Sequence, residues 1–526
     1  QKYDELNQKV FANILNPEKQ LIINNIKDYN DEQGLALDEF EISYLEKLSK
    51  KIGRALTDSE VYGFSQVNSE HCRHKIFNGK FIIDGKEKKE SLFDLIKNTS
   101  KANKNGIVSA YSDNVAFIEG PNIVQFQPQF PDKSSFYINK EIDSIISLKA
   151  ETHNFPTTVE PYNGAATGSG GEIRDRASGG TGSIPLIGSA VYMTPYSRLD
   201  NNKEWEKNIS ERIWKYQTPV DILVKASNGA SDFGNCFGQP LIVGSLFTFE
   251  HNENNNLQSY DKVIMLAGGV GFGELSQAMK KTPVKGDIIV LLGGDNYRIG
   301  MGGASVSSTD TGSYNDAIEL NAVQRSNPEM QKRVTNTIRS LFEMDENPVI
   351  SIHDHGAGGH LNCFSELVED VGGEIYLDSL PIGDPSLSYK EIIGNESQER
   401  IGIIIKEKDY ELVKKIADRE RAPIFKVGKI TADKKFRVKD RSIDIETIDL
   451  DLDSLFGDAP KKIMTDSSIE SNYMEIEYDS NLFSKYLEDV LKIEAVACKD
   501  WLTNKVDRCV TGRIAQQQTV GEIQLP

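Results

Sequence analysis

No apolar run in the 526 residues approaches the ~20 that a helix needs to cross a bilayer, which argues against an integral membrane protein. Cysteine is sparse as well. Cys72, Cys236, Cys363, Cys498 and Cys509 are odd in number, scattered and never in C-x-x-C spacing. That argues against a disulfide framework or structural zinc and fits a reducing cytoplasm. Positive charge is short: 60 Lys and Arg against 79 Asp and Glu leave a net charge of -19, a field that repels phosphodiester backbones and anionic lipid. Nucleic acid and membrane surfaces are therefore not expected partners. An anionic substrate needs a pocket where Arg, Lys, backbone N–H groups or a metal ion reverse the local sign. The opening QKYDELNQKV has neither an initiator Met nor a charged-then-apolar leader, so no signal peptide is expected and the first residue reads as a boundary.

What is present describes a globular chain long enough for roughly three domains or a repeated pair of them. Residues 1–60 read as a helical linker, with Leu35, Phe40, Ile42, Leu45, Leu48 and Ile52 at helical spacing. Thr57-Asp58-Ser59-Glu60 has the form of a capping box, and the helix it starts is expected to carry Val61, Phe64, Val67 and His71 along one face. Residues 61–284 read as a mixed α/β domain, with β-rich runs at Lys80–Ile83, Val115–Ile118, Ser144–Leu148, Ile222–Val224 and Val263–Leu266. Within it, Gly164–Gly188 is dense enough in glycine to suggest a loop whose N–H groups approach a ligand. A second α/β domain is expected over 285–455, with strands at Ile288–Leu292, Val349–Ile352, Ile401–Ile405 and Ile424–Ile430 and helices at Glu329–Phe342 and Leu361–Val371. Residues 456–526, with a helical piece at Leu482–Leu491, read as a connector and the start of a further domain.

Four segments carry chemistry. Asn68–Lys75 puts His71, His74, Cys72, Glu70, Arg73 and Lys75 within roughly two helical turns, as an anion or acid/base site would, or as a solvated helix end would. Lys149–Pro156 follows an apolar strand, so Lys149 and Glu151 fall where α/β sheets bind ligands; Lys149 fits a phosphate and Glu151 a Mg²⁺ ion, against a plain proline turn. The run Gly164-Ala165-Ala166-Thr167-Gly168-Ser169-Gly170-Gly171-Glu172-Ile173-Arg174-Asp175 is not a P-loop, because no Gly-Lys-Ser/Thr closes it. Arg174 beside Asp175 nevertheless offers a phosphate clamp next to a Mg²⁺ ligand, as phosphoryl transfer requires. His353–His360 admits a zinc reading through H-x-H, but Asp354 on Mg²⁺ at a glycine turn is the better match. Glu396–Arg400 suggests substrate hydrogen bonding or an exposed loop.

Taken in order, QVNSEHCRHKIFNG, KAETHNFPTTVEPYNGAATGSGGEIRDRASGG, AVQRSNPEMQKR, IHDHGAGGH, GNESQERIGI and ACKDWLTNKVDR resemble the large, single-chain formylglycinamide ribonucleotide amidotransferases. The resemblance implies a mixed α/β fold of the aminoimidazole ribonucleotide synthetase superfamily: a helical linker, one two-domain unit and the start of a second. It implies ATP-dependent ligase chemistry of purine biosynthesis, in which formylglycinamide ribonucleotide is phosphorylated on its formamide oxygen and ammonia from glutamine displaces the phosphate.

By the same resemblance His71 and His153 are catalytic, and Lys149 and Gly164–Asp175 bind ATP. Thr152, His153, Asn154, Arg174, Gln324, Glu396, Ser397 and Gln398 contact substrate, and Glu151, Asp175 and Asp354 bind Mg²⁺. The glycine run is open to a catalytic or a structural nucleotide site. The second synthetase half and the glutaminase domain are expected to be missing partners, so that ammonia replaces glutamine and an apolar sheet face is exposed. Two other readings stand beside this one. A kinase of the same superfamily acting on thiamin phosphate or selenide is opposed by EHCRH and ETHNFP, and a binding module that holds nucleotide without turnover is the other.

Overall fold

The computed structural model describes residues 17–503 apart from 200–202, 254, 398, 458–460, 471, 472 and 474. Gln398, Cys509 and the end of ACKDWLTNKVDR lie outside the described residues.

Two sheets organise the chain. The first has six strands in the order Ile107–Ser109, Ala116–Pro128, Tyr137–Thr152, Ile264–Glu274, Ile184–Thr194 and Leu241–Thr248. Its pairings are antiparallel except for the last, which is parallel. The helices Pro161–Ala177 and Pro219–Phe237 pack on it, joining Ala165, Leu223, Ala226 and Ala230 to Ala190, Tyr192, Met265 and Ala267 in one apolar cluster. The second sheet has seven strands, with Ser351–Asp354, Ile401–Ile405, Ile288–Leu292 and Ile424–Ile430 at one side. Ile288–Leu292 and Ile401–Ile405 are buried at every position. Such continuous apolar runs are what a sheet covered on both faces requires. One cover is formed by the helices Pro328–Phe342 and Tyr410–Glu420.

The other cover comes from far upstream. Leu45 and Leu48 of the helix Glu39–Ile52 and Val61, Phe64 and Val67 of the helix Asp58–Val67 share a core with Leu361, Phe364, Ile289 and Ile404. Thr57 caps the latter helix in a complete capping box with Glu60. Arg54 holds Glu60 from outside with bonds of 2.7 and 2.6 Å. Late residues return to early elements: Ile463–Asp466 pairs in parallel with Lys80–Ile83 in a separate three-stranded sheet, and Leu502 is buried in the cluster around Ala226.

Three local expectations change. The run Gly164–Gly188 is a loop only at 178–183, because Pro161–Ala177 is a buried helix that starts with Pro at its first turn and Ile184–Thr194 is a strand. Its glycines serve close packing: a Cβ at Gly164 would fall 2.4 Å from Pro156 C, and one at Gly171 2.3 Å from Glu151 Oε1. Ile222–Val224 is helical, the second turn of Pro219–Phe237, where its apolar residues match the helix period. The helix begun at Asp58 stops at Val67, and Ser69 caps a separate short helix, Glu70–Arg73, that carries His71.

Substituting Gly164→Ala is expected to cost about 1–3 kcal/mol through overpacking, read as a lowered thermal midpoint. An open glycine loop would instead accept alanine without loss. A second outcome concerns the exposed apolar side chains Val124, Phe126, Tyr137, Ile242, Val243 and Phe247 on the first sheet. Phe126 and Tyr137 stack at 4.9 Å in the open. Light scattering at high concentration should show self-association that Phe126→Lys reduces; a strictly monomeric profile would count against it.

Candidate active site

The ends of several elements meet at one cavity of about 630 Å³. The strand Tyr137–Thr152 delivers Lys149, Glu151 and Thr152, and the chain that follows adds His153 and Asn154. Arg174 and Asp175 come from the last turn of the helix Pro161–Ala177, where the helix dipole favours the cation. Asp354 ends the strand Ser351–Asp354, and Glu396 follows the helix Tyr389–Gly394. Gln324, Thr167, Gly171 and His71 complete the set of anticipated residues on the wall.

The remaining anticipated residues among those described face elsewhere. Ala166 and Ile173 pack with Phe233 and Phe237. Gly164, Gly168 and Gly170 lie against Pro156, His153 and Phe233. Ser169 is buried off the cavity. Glu172 forms a buried ion pair with Arg176 and accepts from Gln239 at 2.7 Å. Within the helix, backbone N–H groups are committed to the helical ladder, so the run offers no cradle of free amides. Ser397 accepts the Tyr297 N–H at 2.9 Å, which fixes the loop rather than a ligand.

The electrostatics centre on three carboxylates. Asp175 pairs with Lys149 at 2.7 Å, and Glu151 lies 3.5 Å from the same ammonium. Arg174 Nε stands 3.7 Å from Asp354 Oδ2, and its Nη1 pairs with Glu399 and donates to Gln331 Oε1 at 2.9 Å. Burial opposes ionisation of Asp175, but Lys149 and its hydrogen bonds hold it at about 2. Burial and the Asp175 charge raise Asp354 to about 7 and push Glu151 well above the usual carboxylate range. Enclosure by the cavity wall and Lys149 lower His71, although its side chain remains open to solvent, and burial lowers His153 to about 4, so both imidazoles are neutral near pH 7. The Nδ1 of His153 meets the Gly164 carbonyl, which makes it the N–H and leaves Nε2 as the lone-pair nitrogen.

Among the Asp, Glu, Lys and Arg side chains on the wall, six are carboxylates and only Lys149, Arg174 and Lys262 are cations. With all six ionised the wall is acidic, but the raised Glu151, Asp354 and Glu396, and the His353 imidazole raised by Glu366, offset that excess. No group of three His, Cys, Asp or Glu residues among those described closes into a metal cage. Magnesium does not require one, since it is commonly held by one or two carboxylates together with ligand phosphates and water. Glu151, Asp175 and Asp354, crowded until two of them resist ionisation, are hard-oxygen donors of that kind. H-x-H is not a metal site here. His355 Nε2 meets His360 Nδ1 at 2.9 Å, His360 Nε2 meets Arg400 at 2.8 Å, and all three are buried below the wall.

Sequence reasoning missed Asn114, Lys262 and Glu366, and named Glu399 only within the run Glu396–Arg400. Asn114 Nδ2 donates to Asp354 Oδ1 at 3.0 Å, and Glu366 pairs with His353. Lys262 Nζ donates to the Ser307 and Thr309 carbonyls at 2.8 and 2.9 Å. Glu399, by contrast, pairs with Arg174 across the two units; Asn114 and Lys262 carry no motif around them, and Glu366 was read only as part of an amphipathic helix.

Glu396, which accepts from Gln324 and from the Gly358 N–H at 2.8 Å, is raised by burial from 4.5 to about 7. Between those values the folded chain binds more protons than the unfolded one, so this residue makes stability fall as pH rises. Glu396→Gln should flatten that fall by up to about 3 kcal/mol. Thermal midpoints at about pH 5 and about pH 8 measure it, and an unchanged slope would show that Glu396 is already compensated as a carboxylate.

Residues 26–75 match the family model described as the formylglycinamide ribonucleotide amidotransferase linker domain, and residues 284–441 match that of the AIR synthase related protein, C-terminal domain. Phosphoribosylformylglycinamidine synthase of Dictyostelium discoideum is 37% identical over 513 residues, 94% of this chain and 38% of that protein. The probable chloroplastic/mitochondrial phosphoribosylformylglycinamidine synthase of Arabidopsis thaliana is 36% identical over 95% of this chain and 37% of its own length. The chain thus spans under two fifths of these relatives. T. maritima PurL complexed with FGAR shares the fold at a TM-score of 0.54 and 23% identity, over 83% of this chain and 58% of that one. The complex with ATP gives 0.53 and 22%, over 85% and 61%. The chain is thus similar over nearly its whole length to proteins named phosphoribosylformylglycinamidine synthase, and it carries matches to the linker-domain and AIR synthase C-terminal-domain models.

Proposed function

We propose that this chain carries the ATP-dependent site of a C–N ligase in purine biosynthesis, acting on formylglycinamide ribonucleotide. The observation that supports this best is convergence. His71, Lys149, Glu151, Arg174, Gln324, Asp354 and Glu396, distant in sequence, line one cavity. The relatives are named phosphoribosylformylglycinamidine synthase, and the structural neighbours hold FGAR and ATP. We divide the chain into a linker over 1–60, α/β domains over 61–284 and 285–455, and the beginning of a further domain over 456–526. The four described cysteines are free, in keeping with a reducing cytoplasm, and no described helix is long and apolar enough to cross a membrane.

In the proposed reaction the γ-phosphate of ATP passes to the formamide oxygen, giving an iminophosphate. Ammonia then adds at that carbon and phosphate leaves, which yields the amidine. Magnesium at Glu151, Asp175 and Asp354 would supply the neutralising charge for the triphosphate. Lys149 and Arg174 add fixed positive charge where the phosphoryl group moves, and as buried donors they need no reorganisation. His71 and His153, neutral at pH 7, are suited to accept a proton from the incoming nitrogen. Thr152, Asn154, Gln324 and Glu396 offer hydrogen bonds to the ribonucleotide, and Ser397 and Gln398 belong to the same substrate segment. The nitrogen source in the whole enzyme would be glutamine through a glutaminase domain, with ammonia serving this chain alone.

Phosphate release with formylglycinamide ribonucleotide, ATP and ammonia tests the reading. Turnover abolished by His71→Ala supports a complete site, whereas tight nucleotide binding without turnover makes the chain a nucleotide-holding module. Calorimetry with a non-hydrolysable ATP analogue should show Glu151→Gln and Asp175→Asn each weakening affinity in Mg²⁺, with the fold intact because charge rather than core volume is removed. Unchanged affinity in both would place the metal ligands elsewhere.

A further inference from the structure

The loop between the strands Ile107–Ser109 and Ala116–Pro128 touches the carboxylate cluster without belonging to any of the segments that announced it. Asp113 anchors that loop twice. Its Oδ1 accepts from Lys280 Nζ at 2.7 Å, and its Oδ2 accepts the backbone N–H of Gly180 at 3.0 Å. Gly180 follows closely on the helix that carries Arg174 and Asp175, and a Cβ there would fall 2.2 Å from the Gln277 carbonyl oxygen, so this anchor point has little freedom. Lys280 lies on the segment leading into the second sheet. The Asn114 N–H then bonds Asp113 Oδ1 at 2.9 Å, which fixes the direction of the next side chain.

Asn114 reaches across to the second sheet. Its amide donates to Asp354 Oδ1 at 3.0 Å while Arg174 Nε faces Oδ2 at 3.7 Å, so both oxygens of Asp354 meet donors that belong to the first sheet's unit. Arg174 Nε makes no hydrogen bond itself. The short bond from Asn114 is thus the more directional of the two, and being neutral it orients the carboxylate without cancelling its charge. The Nε2 of His353 that pairs with Glu366 also lies 3.3 Å from this amide nitrogen, and the ring's Nδ1 meets the Asp354 carbonyl at 2.9 Å.

We propose that Asp113 and Asn114 form a clamp that holds Asp354 against Asp175 across the two units, with Asn114 the positioning residue of the carboxylate cluster. Its consequence for ligands rests on the reading of that cluster as a metal–nucleotide site. Geometry explains why such a clamp is needed: Asp175 comes from a helix packed on the first sheet and Asp354 from a strand of the second, and neither element alone sets their separation. A carboxylate free to turn toward Arg174 would be lost as a metal ligand.

The test uses the chain with adenylyl imidodiphosphate, followed by calorimetry with and without Mg²⁺. Asn114→Ala and Asp113→Ala should each weaken the Mg²⁺-loaded nucleotide about tenfold or more, the scale at which groups that orient metal ligands act. Affinity without Mg²⁺ should be unchanged. Asp113 does not line the cavity, so its effect has to pass through the loop. Wild-type affinity in Asn114→Ala, or equal losses with and without Mg²⁺, overturns the clamp. If the wild-type chain binds no Mg²⁺-loaded nucleotide, the functional reading fails instead. The clamp is then decided by thermal midpoints of Asn114→Ala, Asp354→Asn and the double variant: losses clearly short of additive support it, and additive losses overturn it.

Discussion

The rest of the molecule is arranged around one electrostatic constraint: Glu151, Asp175 and Asp354 are packed close enough to perturb one another, with Lys149, Arg174 and the His353 imidazole as the cations beside them. Like charges so placed separate or protonate unless the scaffold prevents it. Here the scaffold is rigid on both sides. Lys149 and Glu151 are locked in the register of a central strand, with Gly269 and Ala267 opposite them. Asp354 is locked opposite Ile401, in the end of a strand. Arg174 then crosses from one unit to the other through Glu399 and Gln331, which ties the two sheets together at the point of highest charge density.

That constraint also accounts for the glycines. A buried helix that brings Arg174 and Asp175 to the end of a strand has to approach the sheet more closely than side chains allow. Gly171 leaves room for Glu151, and Gly170 for the ring of Phe233. Gly269 in the facing strand leaves room for the Glu172–Arg176 pair, because a Cβ there would fall 2.4 Å from Arg176 Nη2. The glycine run in the sequence therefore has a structural cause that local composition does not reveal, since glycine reads as flexibility until the partner surfaces are known.

The sequence was most legible where a side chain's role is local. The capping box at Thr57 and the apolar strands of the second sheet needed only short-range pattern, and so did the placement of Lys149 and Glu151 at a strand end. It was least legible where helix period and glycine composition competed, as in Pro161–Ala177, or where a few β-branched residues concealed a helix, as at Ile222–Val224. For the site, residues in dense polar motifs converged on the cavity, whereas Asn114 and Lys262 act through contacts more than 40 residues away and leave no pattern in the chain around them.

The acid excess of the cavity bears on what it can hold. With six carboxylates against three fixed cations, a polyphosphate entering alone would meet net repulsion in a region of low dielectric, where each uncompensated charge is expensive. Protonation relieves part of this, and the raised values of Glu151, Asp354 and Glu396 show where the protons would sit. A divalent cation relieves it better, because it neutralises the wall and the ligand at once and takes the oxygen donors already gathered there. On the proposed reading the site suits a complex of anion and cation better than the anion alone, and its affinity for either component should depend on the presence of the other.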